Sequence, residues 1–555
     1  MIPLRIWIPC VILATATAGF CDSESLGQTD RRYLAADATQ RVLVLNASVT
    51  NHQARYIGQA IELDQPWEQD LRIIYPGSTV QDPVDGLYRM YYEVVVGGGA
   101  EPSLRDRHVA MATSVDGVNW IKPALNITGS DYSNSPQNNF VSIAGTLFAN
   151  GPNVFIDPTA ADNERYKATY RDFTQFDGRS LISAVSSDGI NFNPVGEVDN
   201  AFRLDIGLDS HNVAFWDPIA SEYKAYNRYW FLNPFRRGVS LKRSDQWEGY
   251  WSTPRQLVID PQGLIADTRE NQFYTPGIST YHGQYIGLPS IYHDATADGR
   301  IETGFLHSLD GENWNVSEGG PAIVNARVHF PDGDDYQIYA QPSIIERDED
   351  LLIYYSYLNR NHDDVDSFAN FDFEGGMHIA SLRRDGFASI DSNRSGSATW
   401  ITDAMSLTCH ADLLKINAIV NGSLSAEVRN AQTLAVIPGF SLSESIPLSA
   451  GDHLDGELHW TSGRPLAELT GQDVRFMFQF EDSSVFSFTI TTNAEPSTGV
   501  LKGDINLDGC VNFLDIAAFI AVLGEDTYQT EADTDCNGFV DFLDIAAFIA
   551  ILATT

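Results

Sequence analysis

Three segments of this chain share the pattern Ser-x-Asp-Gly-x-Asn-aromatic: Ser114-Val-Asp-Gly-Val-Asn-Trp120, Ser186-Ser-Asp-Gly-Ile-Asn-Phe192 and Ser308-Leu-Asp-Gly-Glu-Asn-Trp314. Asp-Gly favours a tight hairpin turn because glycine readily adopts the left-handed backbone that such turns need. Two weaker copies follow the same pattern, at 243–247 and 381–387. The copies recur about every 58 to 73 residues, a period that predicts four-stranded units closing in a ring. We interpret the turns as structural, with catalysis as the weaker alternative.

The strands on either side of these turns predict how many units there are. Tyrosine-rich strands lie at 88–93, 166–170, 223–228, 284–288 and 351–356, and candidate innermost strands precede them at 78–80, 153–156, 212–216, 277–280 and 342–345. Asp157 and Asp217 each stand before a proline, where they are expected to make turns. The chain is therefore expected to be mainly β, with a five-bladed β-propeller over 51–386.

Beyond residue 386 the hydrophobic pattern becomes a strict alternation. Val474, Phe476, Phe478 and Phe480 fall on one face of a strand, as expected for a half-buried sheet. The pattern predicts a β-sandwich over 387–492, followed by a linker over 493–502.

Residues 503–555 carry one segment twice, and each copy has the ligand spacing of a calcium loop followed by an apolar helix. Oxygen-bearing side chains fall at loop positions one, three, five, nine and twelve, a glycine falls at six, and position seven offers a backbone carbonyl. The expected ligands of two calcium ions are Asp504, Asn506, Asp508, Cys510, Asn512 and Asp515, then Asp533, Asp535, Asn537, Phe539, Asp541 and Asp544.

The doubled loop and the repeated Phe-Leu-Asp-Ile-Ala-Ala-Phe-Ile-Ala core resemble a type I dockerin, as found at the end of secreted planctomycete proteins. The resemblance implies a small α-helical module that folds with calcium and binds a cohesin-like partner. Both loops close with Asp (Asp515 and Asp544) where an EF-hand has Glu. Cys510 and Cys536 lie within the loops, and a disulfide or two small buried thiols are both open.

The N-terminal residues of the chain also indicate a secreted protein. Residues 1–19 combine one basic residue, Arg5, with an apolar run and small residues, as in a secretory signal peptide. The run is shorter than the roughly twenty residues that a membrane span needs. With a net charge of −39, nucleic acid and anionic membranes are poor partners. We expect a secreted or cell-surface protein without a transmembrane segment after signal removal.

A five-bladed propeller followed by a β-sandwich resembles the invertase-like glycoside hydrolases, whose superfamily includes arabinanases and xylosidases. Segments 66–68, 209–217 and 384–389 also resemble a propeller-plus-sandwich group of planctomycetes. The resemblance implies fold and glycoside hydrolysis. The invertase motifs Asn-Asp-Pro-Asn-Gly and Glu-Cys are absent, so no catalytic residue transfers by motif.

Candidate site residues come from position instead. Glycoside hydrolysis commonly uses two carboxyl groups, and in a propeller the pocket is ringed by the starts of the innermost strands. Glu68, Asp209 and Glu270 stand before three of these strands and are the predicted catalytic carboxylates, with His211 and Tyr274 as predicted substrate-binding residues. Structural alternatives remain, because Glu68 could cap backbone or pair with an arginine, and His211 could be a satisfied core histidine.

Two functions remain open. The first is a secreted carbohydrate-active hydrolase that acts on an extracellular polysaccharide or oligosaccharide. The second is a non-catalytic glycan- or protein-binding propeller, displayed through its calcium module. A carboxyl pair about 5–10 Å apart on the pocket floor would favour the enzyme.

Overall fold

β-Strands dominate the computed structural model. It describes residues 31–68, 71–96, 107–125, 127, 137–144, 149–172, 180–200, 208, 211–232, 235–251, 253, 255–261, 271–293, 299–316, 324, 336–364, 372–393, 396–407, 411–469, 472–492, 502–503, 505, 515–525, 529, 531–534, 540–541 and 543–552. Residues 30–407 and 411–491 form one compact unit, and the C-terminal residues 492–555 belong to another.

Four sheets of the first unit each carry one tyrosine-rich strand. The first sheet contains β5 (Leu71–Ile73), β6 (Ser78–Gln81), β7 (Tyr88–Val96) and β8 (Arg107–Ser114). The second contains β9 (Ser142–Ile143), β10 (Ala149–Ile156), β11 (Tyr166–Asp172), β12 (Ser180–Ser186), β13 (Asn191–Asn200) and β17 (Gly249–Tyr250). The third contains β14 (Val213–Asp217), β15 (Glu222–Leu232), β16 (Phe235–Ser244) and β18 (Gln256–Ile259). The fourth contains β20 (Ile278–Tyr281), β21 (Gln284–Gly287), β24 (Leu306–Ser308) and β25 (Asn315–Val316).

The strands expected to form a fifth blade lie in a larger sheet. This seven-stranded sheet runs β19-β22-β23-β26-β27-β28-β4 and contains β4 (Arg55–Ile61), β19 (Asn271–Thr275), β22 (Ser290–His293), β23 (Ile301–Thr303), β26 (Gln337–Glu346), β27 (Asp350–Leu358) and β28 (Gly375–Arg383). Strand β4, from the N-terminal side of the chain, pairs antiparallel with β28. The arrangement is propeller-like, and the count of five blades stays a prediction.

The Asp-Gly turns are structural, as expected. In the first copy, the Ser114 hydroxyl donates to Asp116 Oδ1 at 2.9 Å and accepts from the Gly117 N–H at 2.9 Å. Asp116 Oδ1 in turn accepts from the N–H groups of Val118 and Asn119 at 2.9 and 2.8 Å. The copies at Asp188 and Asp310 repeat these bonds. The polar groups of the turn residues therefore make the hydrogen bonds that close the hairpin.

Each of these three turns is also fastened to a neighbouring sheet through its glycine. The glycines have φ of 71 to 73°, and a Cβ on any of them would come within 2.5 to 2.9 Å of a tyrosine hydroxyl. Glycine is thus required both by backbone conformation and by space. The glycine carbonyls accept from tyrosines of strands β27, β7 and β15: Gly117 from Tyr354 at 2.6 Å, Gly189 from Tyr91 at 2.9 Å and Gly311 from Tyr226 at 3.0 Å.

A second repeated contact joins the C-terminal ends of the inner strands to the next sheet. Asp157 and Asp217 do make the predicted turns, by accepting from the N–H groups two residues later. Their second oxygens accept from tyrosine hydroxyls of the following sheet: Asp82 from Tyr166, Asp157 from Tyr223 at 2.5 Å and Asp217 from Tyr285 at 2.6 Å. The tyrosine-rich strands are therefore needed for joining sheets as well as for the apolar core.

The remaining strands form a ten-stranded sheet that includes the N-terminal strands. It contains β1 (Arg32–Leu34), β2 (Leu43–Leu45), β3 (Ala47–Asn51), β29 (Ala388–Ser392), β30 (Ala398–Ile401), β31 (Met405–Ser406), β32 (Ala411–Asn430), β33 (Ser445–Ile446), β34 (Gly451–Trp460) and β35 (Asp473–Thr492). The predicted alternation in β35 is confirmed, because Val474, Phe476, Phe478 and Phe480 are all fully buried. The sequence analysis missed that residues 32–51 pair with this C-terminal region.

The C-terminal unit contains two helices at the predicted places. Helix α1 spans Asp515–Glu525 and helix α2 spans Asp544–Leu552. Phe519 and Phe548 pack with ring centroids 4.9 Å apart, in a small core with Ile505 and Ala532. The identity of this unit as a dockerin stays a prediction. Among the residues that the structure describes, no helix is long and apolar enough to cross a membrane.

Candidate functional site

Side-chain contacts join several of the inner strands and the segments beside them. Ser78 Oγ donates to the Val154 carbonyl at 2.7 Å, and Asn153 Oδ1 accepts from Ala214 N at 2.7 Å. Further contacts join the rings of Tyr274, Tyr339 and Tyr75, whose centroids lie 5.7 and 5.3 Å apart. Gln341 donates to the Pro76 carbonyl at 2.6 Å. We call the side chains Tyr75, Arg228, Tyr274, Tyr339 and His362 at these strand ends the strand-head cluster.

His211 lies just before inner strand β14 and is almost completely buried. Its Nε2 lies 3.1 Å from the Pro152 carbonyl at the start of β10, so the imidazole joins two neighbouring inner strands. Burial lowers the pKa of His211 to about 4, since the charged imidazolium is poorly solvated there. At neutral pH the ring is therefore uncharged, with Nε2 positioned to donate to that carbonyl.

Tyr274, the other predicted substrate-binding residue, lies at the centre of the strand-head cluster. Its hydroxyl lies 3.0 Å from His362 Nε2, and the Arg228 guanidinium carbon lies 4.0 Å from its ring centroid. Burial, with the nearby arginines, lowers the pKa of His362. Tyr274 is 5% exposed, and its ring is held in one orientation by the guanidinium, the imidazole and two neighbouring tyrosines.

Arg228 connects the neighbourhoods of the two predicted ligands. It is 1% exposed, its backbone N–H donates to Asn212 Oδ1 at 3.1 Å, and its Nη2 donates to the Tyr274 carbonyl at 2.8 Å. Asn212 adjoins His211 in the chain, so Arg228 links the segment after His211, through its backbone N–H, to the Tyr274 carbonyl, through its guanidinium. Sequence reasoning missed Arg228, although a charged residue at the end of a tyrosine-rich strand was a usable signal.

A buried carboxyl group, Glu93, lies on the first sheet at the same end as Tyr75. Its backbone N–H donates to the Tyr75 carbonyl at 3.0 Å. Its Oε2 accepts from Asn150 Nδ2 at 3.0 Å and from the Gly151 N–H at 2.6 Å, and its Oε1 pairs with Arg107. Burial raises the pKa of Glu93. Glu93 therefore fixes the backbone at the start of β10. The sequence analysis overlooked Glu93, as it overlooked Arg228.

Glu68 takes part in a different set of contacts. It is 2% exposed, its Oε2 lies 2.6 Å from Lys122 Nζ, and the same oxygen accepts from the Gln65 N–H at 2.9 Å. The bond from the Gln65 N–H is the backbone cap that the sequence left open, and the ion pair is with a lysine where an arginine was expected. A catalytic role for Glu68 stays a prediction.

The other two predicted catalytic carboxylates, Asp209 and Glu270, lie outside the described residues. The distance between the predicted carboxyl pair is therefore untested. The nearest described residues in the chain are Leu208 and His211 on either side of Asp209, and Asn271, the first residue of β19, after Glu270.

In the C-terminal unit, four of the twelve predicted calcium ligands are described. Asp515 and Asp544 are fully buried at the first residue of each helix, and Asp533 is 3% exposed. Asp544 Oδ2 accepts from the Asp541 N–H at 2.8 Å, and Asp515 Oδ1 accepts from the Ile505 N–H at 2.8 Å. Buried carboxylates need compensating charge, and their oxygen-only donor set fits a hard cation such as Ca²⁺.

The other eight predicted ligands lie outside the described residues: Asp504, Asn506, Asp508, Cys510, Asn512, Asp535, Asn537 and Phe539. The predicted signal peptide and Cys536 lie outside them too. Calcium binding and a Cys510–Cys536 bridge thus stay predictions.

Comparison with known proteins gives fold-level likenesses. No protein-family profile matches the sequence, and no curated protein matches it. Similar solved structures include a glycosyl hydrolase from Bacteroides ovatus, with 11% identity and a TM-score of 0.39 over 62% of this chain and 96% of that one. An exo-inulinase from Aspergillus awamori has 11% identity and a TM-score of 0.37 over 78% of this chain and 100% of that one. An N-acetylgalactosamine deacetylase from F. plautii has 14% identity and a TM-score of 0.38 over 62% of this chain and 96% of that one. Glycoside hydrolases thus recur among the similar structures, and at these values no residue role or substrate carries over.

Proposed function

We propose that this chain is a secreted glycoside hydrolase that cleaves an extracellular polysaccharide or oligosaccharide at the heads of its inner strands. The observation that carries the proposal is Arg228, whose backbone N–H donates to Asn212, next to His211, and whose buried guanidinium donates to the Tyr274 carbonyl. Residues that the sequence analysis selected for substrate binding thereby lie at one end of neighbouring sheets. Aromatic rings with a few fixed polar groups are typical of sugar sites.

The proposed chemistry uses two carboxyl groups, one acting as acid and the other as nucleophile or base. Covalent geometry limits the Asp209 Cα to about 7 Å from the His211 Cα, and Glu270 directly precedes strand β19. Asp209 and Glu270 are the carboxylates to be tested, Glu68 is measured beside them because it is bound to Lys122, and Glu93 is proposed as a positioning residue. Neutral His211, which is buried against the Pro152 carbonyl, is proposed to position the segment before β14.

The experiment is a hydrolysis screen of the purified chain. Neutral arabinan, mannan, xylan, laminarin and inulin, and anionic polygalacturonate, are incubated with the protein, and new reducing ends are measured. Glu248→Gln, which changes an exposed carboxylate, serves as a matched control for the carboxylate variants. Release of products from one glycan class supports the proposal. Tight glycan binding without products would favour a non-catalytic binding propeller.

The C-terminal unit is proposed to bind two calcium ions and to dock the enzyme onto a cohesin-like partner. Its support is the buried Asp515 and Asp544, together with two isoleucines at equivalent helix positions, Ile520 and Ile549, which are 63% and 58% exposed. Exposed apolar residues at matching places on two helices are typical of a protein-binding surface. Binding of a purified cohesin to the full chain with calcium, and its loss in chelator, would test this.

A further inference from the structure

A cavity of about 410 Å³ lies at the outer rim of the propeller-like unit. It lies between the end of β4 and the segment that follows the first Asp-Gly turn. Strand β4 is the last strand of its sheet, separated from inner strand β26 by β27 and β28. At about 4.8 Å per strand, the cavity is more than about 14 Å from the inner strand, and so it is separate from the strand-head cluster. Its lining residues are Gln59, Ala60, Ile61, Glu62, Asp64, Gln65, Trp120, Ile121 and Lys122.

Trp120 distinguishes this turn from the other two copies. The aromatic residues that close the other turns, Phe192 and Trp314, are 2% and 6% exposed and belong to the apolar core. Trp120 is half-buried and lines the cavity. Its orientation is fixed, because its indole N–H donates to the Gly117 carbonyl at 3.2 Å and its ring packs edge-on against Tyr354 with centroids 5.7 Å apart. An accessible, immobilised indole is a surface on which the C–H face of a sugar can stack.

The polar side chains of the cavity wall are held in place by bonds to one another, without a ligand. Lys122 Nζ lies 2.9 Å from Asp64 Oδ1 and 2.6 Å from Glu68 Oε2, and it also donates to the Glu62 carbonyl. Since Glu68 is buried and bound to the Gln65 N–H, this ammonium anchors the whole loop. Binding to such a wall carries little entropy cost for ordering the protein.

The charges of the wall select the kind of ligand. The side chains of Glu62 and Asp64 are exposed, and with Glu68 they outnumber the single lysine, so an anionic sugar is disfavoured. A metal cation would have to compete with the lysine ammonium for the same oxygens. Neutral hydroxyls can donate to these carboxylates and accept from the amides of Gln59 and Gln65.

We infer that this rim cavity is a second binding site for neutral pyranose residues of a polysaccharide, remote from the proposed hydrolytic site. The inference rests on the proposed function for the choice of a glycan as ligand. A long chain that engages the rim site stays near the strand heads after dissociating from them, and the linked sites raise its effective concentration. Short substrates that cannot span both sites gain no effective concentration from the rim site.

The test is native-gel retardation of the full chain in gels that contain mannan, xylan, laminarin, arabinan or polygalacturonate. Gln59→Ala/Glu62→Ala changes two exposed side chains, so it preserves the fold. Trp120→Ala removes the indole, and Trp120→Phe retains an aromatic ring. Tyr250→Ala, at a 46% exposed tyrosine beside another cavity, is the matched control.

We expect at least one neutral polysaccharide to retard the parent chain. Both Gln59→Ala/Glu62→Ala and Trp120→Ala should raise its apparent Kd at least threefold, and Tyr250→Ala should leave it unchanged. Equal retardation of the parent and both rim variants, or retardation by polygalacturonate alone, would overturn the inference. Retardation needs no turnover, so failure of the proposed hydrolysis would leave this result intact; conversely, hydrolysis of short oligosaccharides by the rim variants would stay at the parent rate.

Discussion

Removing the charge of Asp217 is expected to destabilise the propeller-like unit strongly. Asp217 is fully buried, its Oδ2 lies 2.6 Å from Lys224 Nζ and accepts from the Tyr285 hydroxyl at 2.6 Å, and Lys224 is itself 2% exposed. Lys224 Nζ also donates to the Tyr285 hydroxyl at 2.9 Å. Asp217→Asn leaves the ammonium buried without its carboxylate, which costs about 3–5 kcal/mol of unfolding free energy.

A double-mutant cycle separates the ion pair from general packing. Lys224→Met alone should cost about as much as Asp217→Asn, because it leaves the carboxylate buried. The double variant should be destabilised less than the sum of the two, with a coupling of more than about 1 kcal/mol. Asp245→Asn, at an exposed position just after strand β16 of the same sheet, is the control and should change stability by less than about 0.5 kcal/mol.

The assay is urea unfolding followed by tryptophan fluorescence, which reports on Trp247 and Trp251 in the adjoining core. The reasoning would be refuted if Asp217→Asn cost less than about 1 kcal/mol, or if the two single losses added without coupling. Either result would mean that the buried Asp217–Lys224 pair does not stabilise the third sheet in the way argued.

Three further predictions concern pH, calcium and the tail. Because His211 has a folded pKa of about 4 and an unfolded value near 6.5, the unfolded state binds more protons between these values. Stability should fall by about 3 kcal/mol as pH drops from 6.5 to 4, and His211→Gln should show a shallower loss in urea midpoints. Chelator should unfold helices α1 and α2, since Asp515 and Asp544 are buried carboxylates, and circular dichroism of residues 500–555 that is unchanged by EGTA would contradict this. Deleting 493–555 should leave the melting temperature of the remainder unchanged, because the tail belongs to a separate compact unit; aggregation of the truncated chain would argue otherwise.

The repeating part of the fold could be predicted because its residues act locally. Asp116 and Gly117 define a turn through bonds within a few positions of the chain, and such bonds follow from sequence. The inner strands could be predicted in the same way, from the apolar runs that stand at fixed offsets before each turn.

Long-range pairings were not predictable in this way. Strand β4 pairs with β28, and β1 pairs with β35 across most of the chain, but nothing in the sequence near residues 32 or 55 specifies those partners. The same limit applied to Asp217, whose turn was predicted and whose bond to Tyr285 of the next sheet was not.

The location of the catalytic site stays a prediction. His211 and Tyr274 were selected by their position before inner strands, and Arg228 bonds to the residue after His211 and to the Tyr274 carbonyl. Arg228 and Glu93 were missed because both ended strands that were used only to count the units of the ring. For Glu68, the sequence could not distinguish a pocket carboxylate from an ion-pair partner, since Lys122 lies far along the chain.

The central claim is hydrolysis by carboxylates at the strand heads, and the most direct measurement is the turnover of amide variants on the glycan that the screen identifies. Asp209→Asn and Glu270→Gln should each lower kcat by about 10²–10⁴-fold with circular dichroism unchanged, and Glu248→Gln should match the parent. Glu68→Gln, measured beside them, separates a catalytic effect from the loss of the Lys122 ion pair through its unfolding midpoint. If both Asp209→Asn and Glu270→Gln are folded and turn over within about threefold of the parent, the carboxylate pair is contradicted.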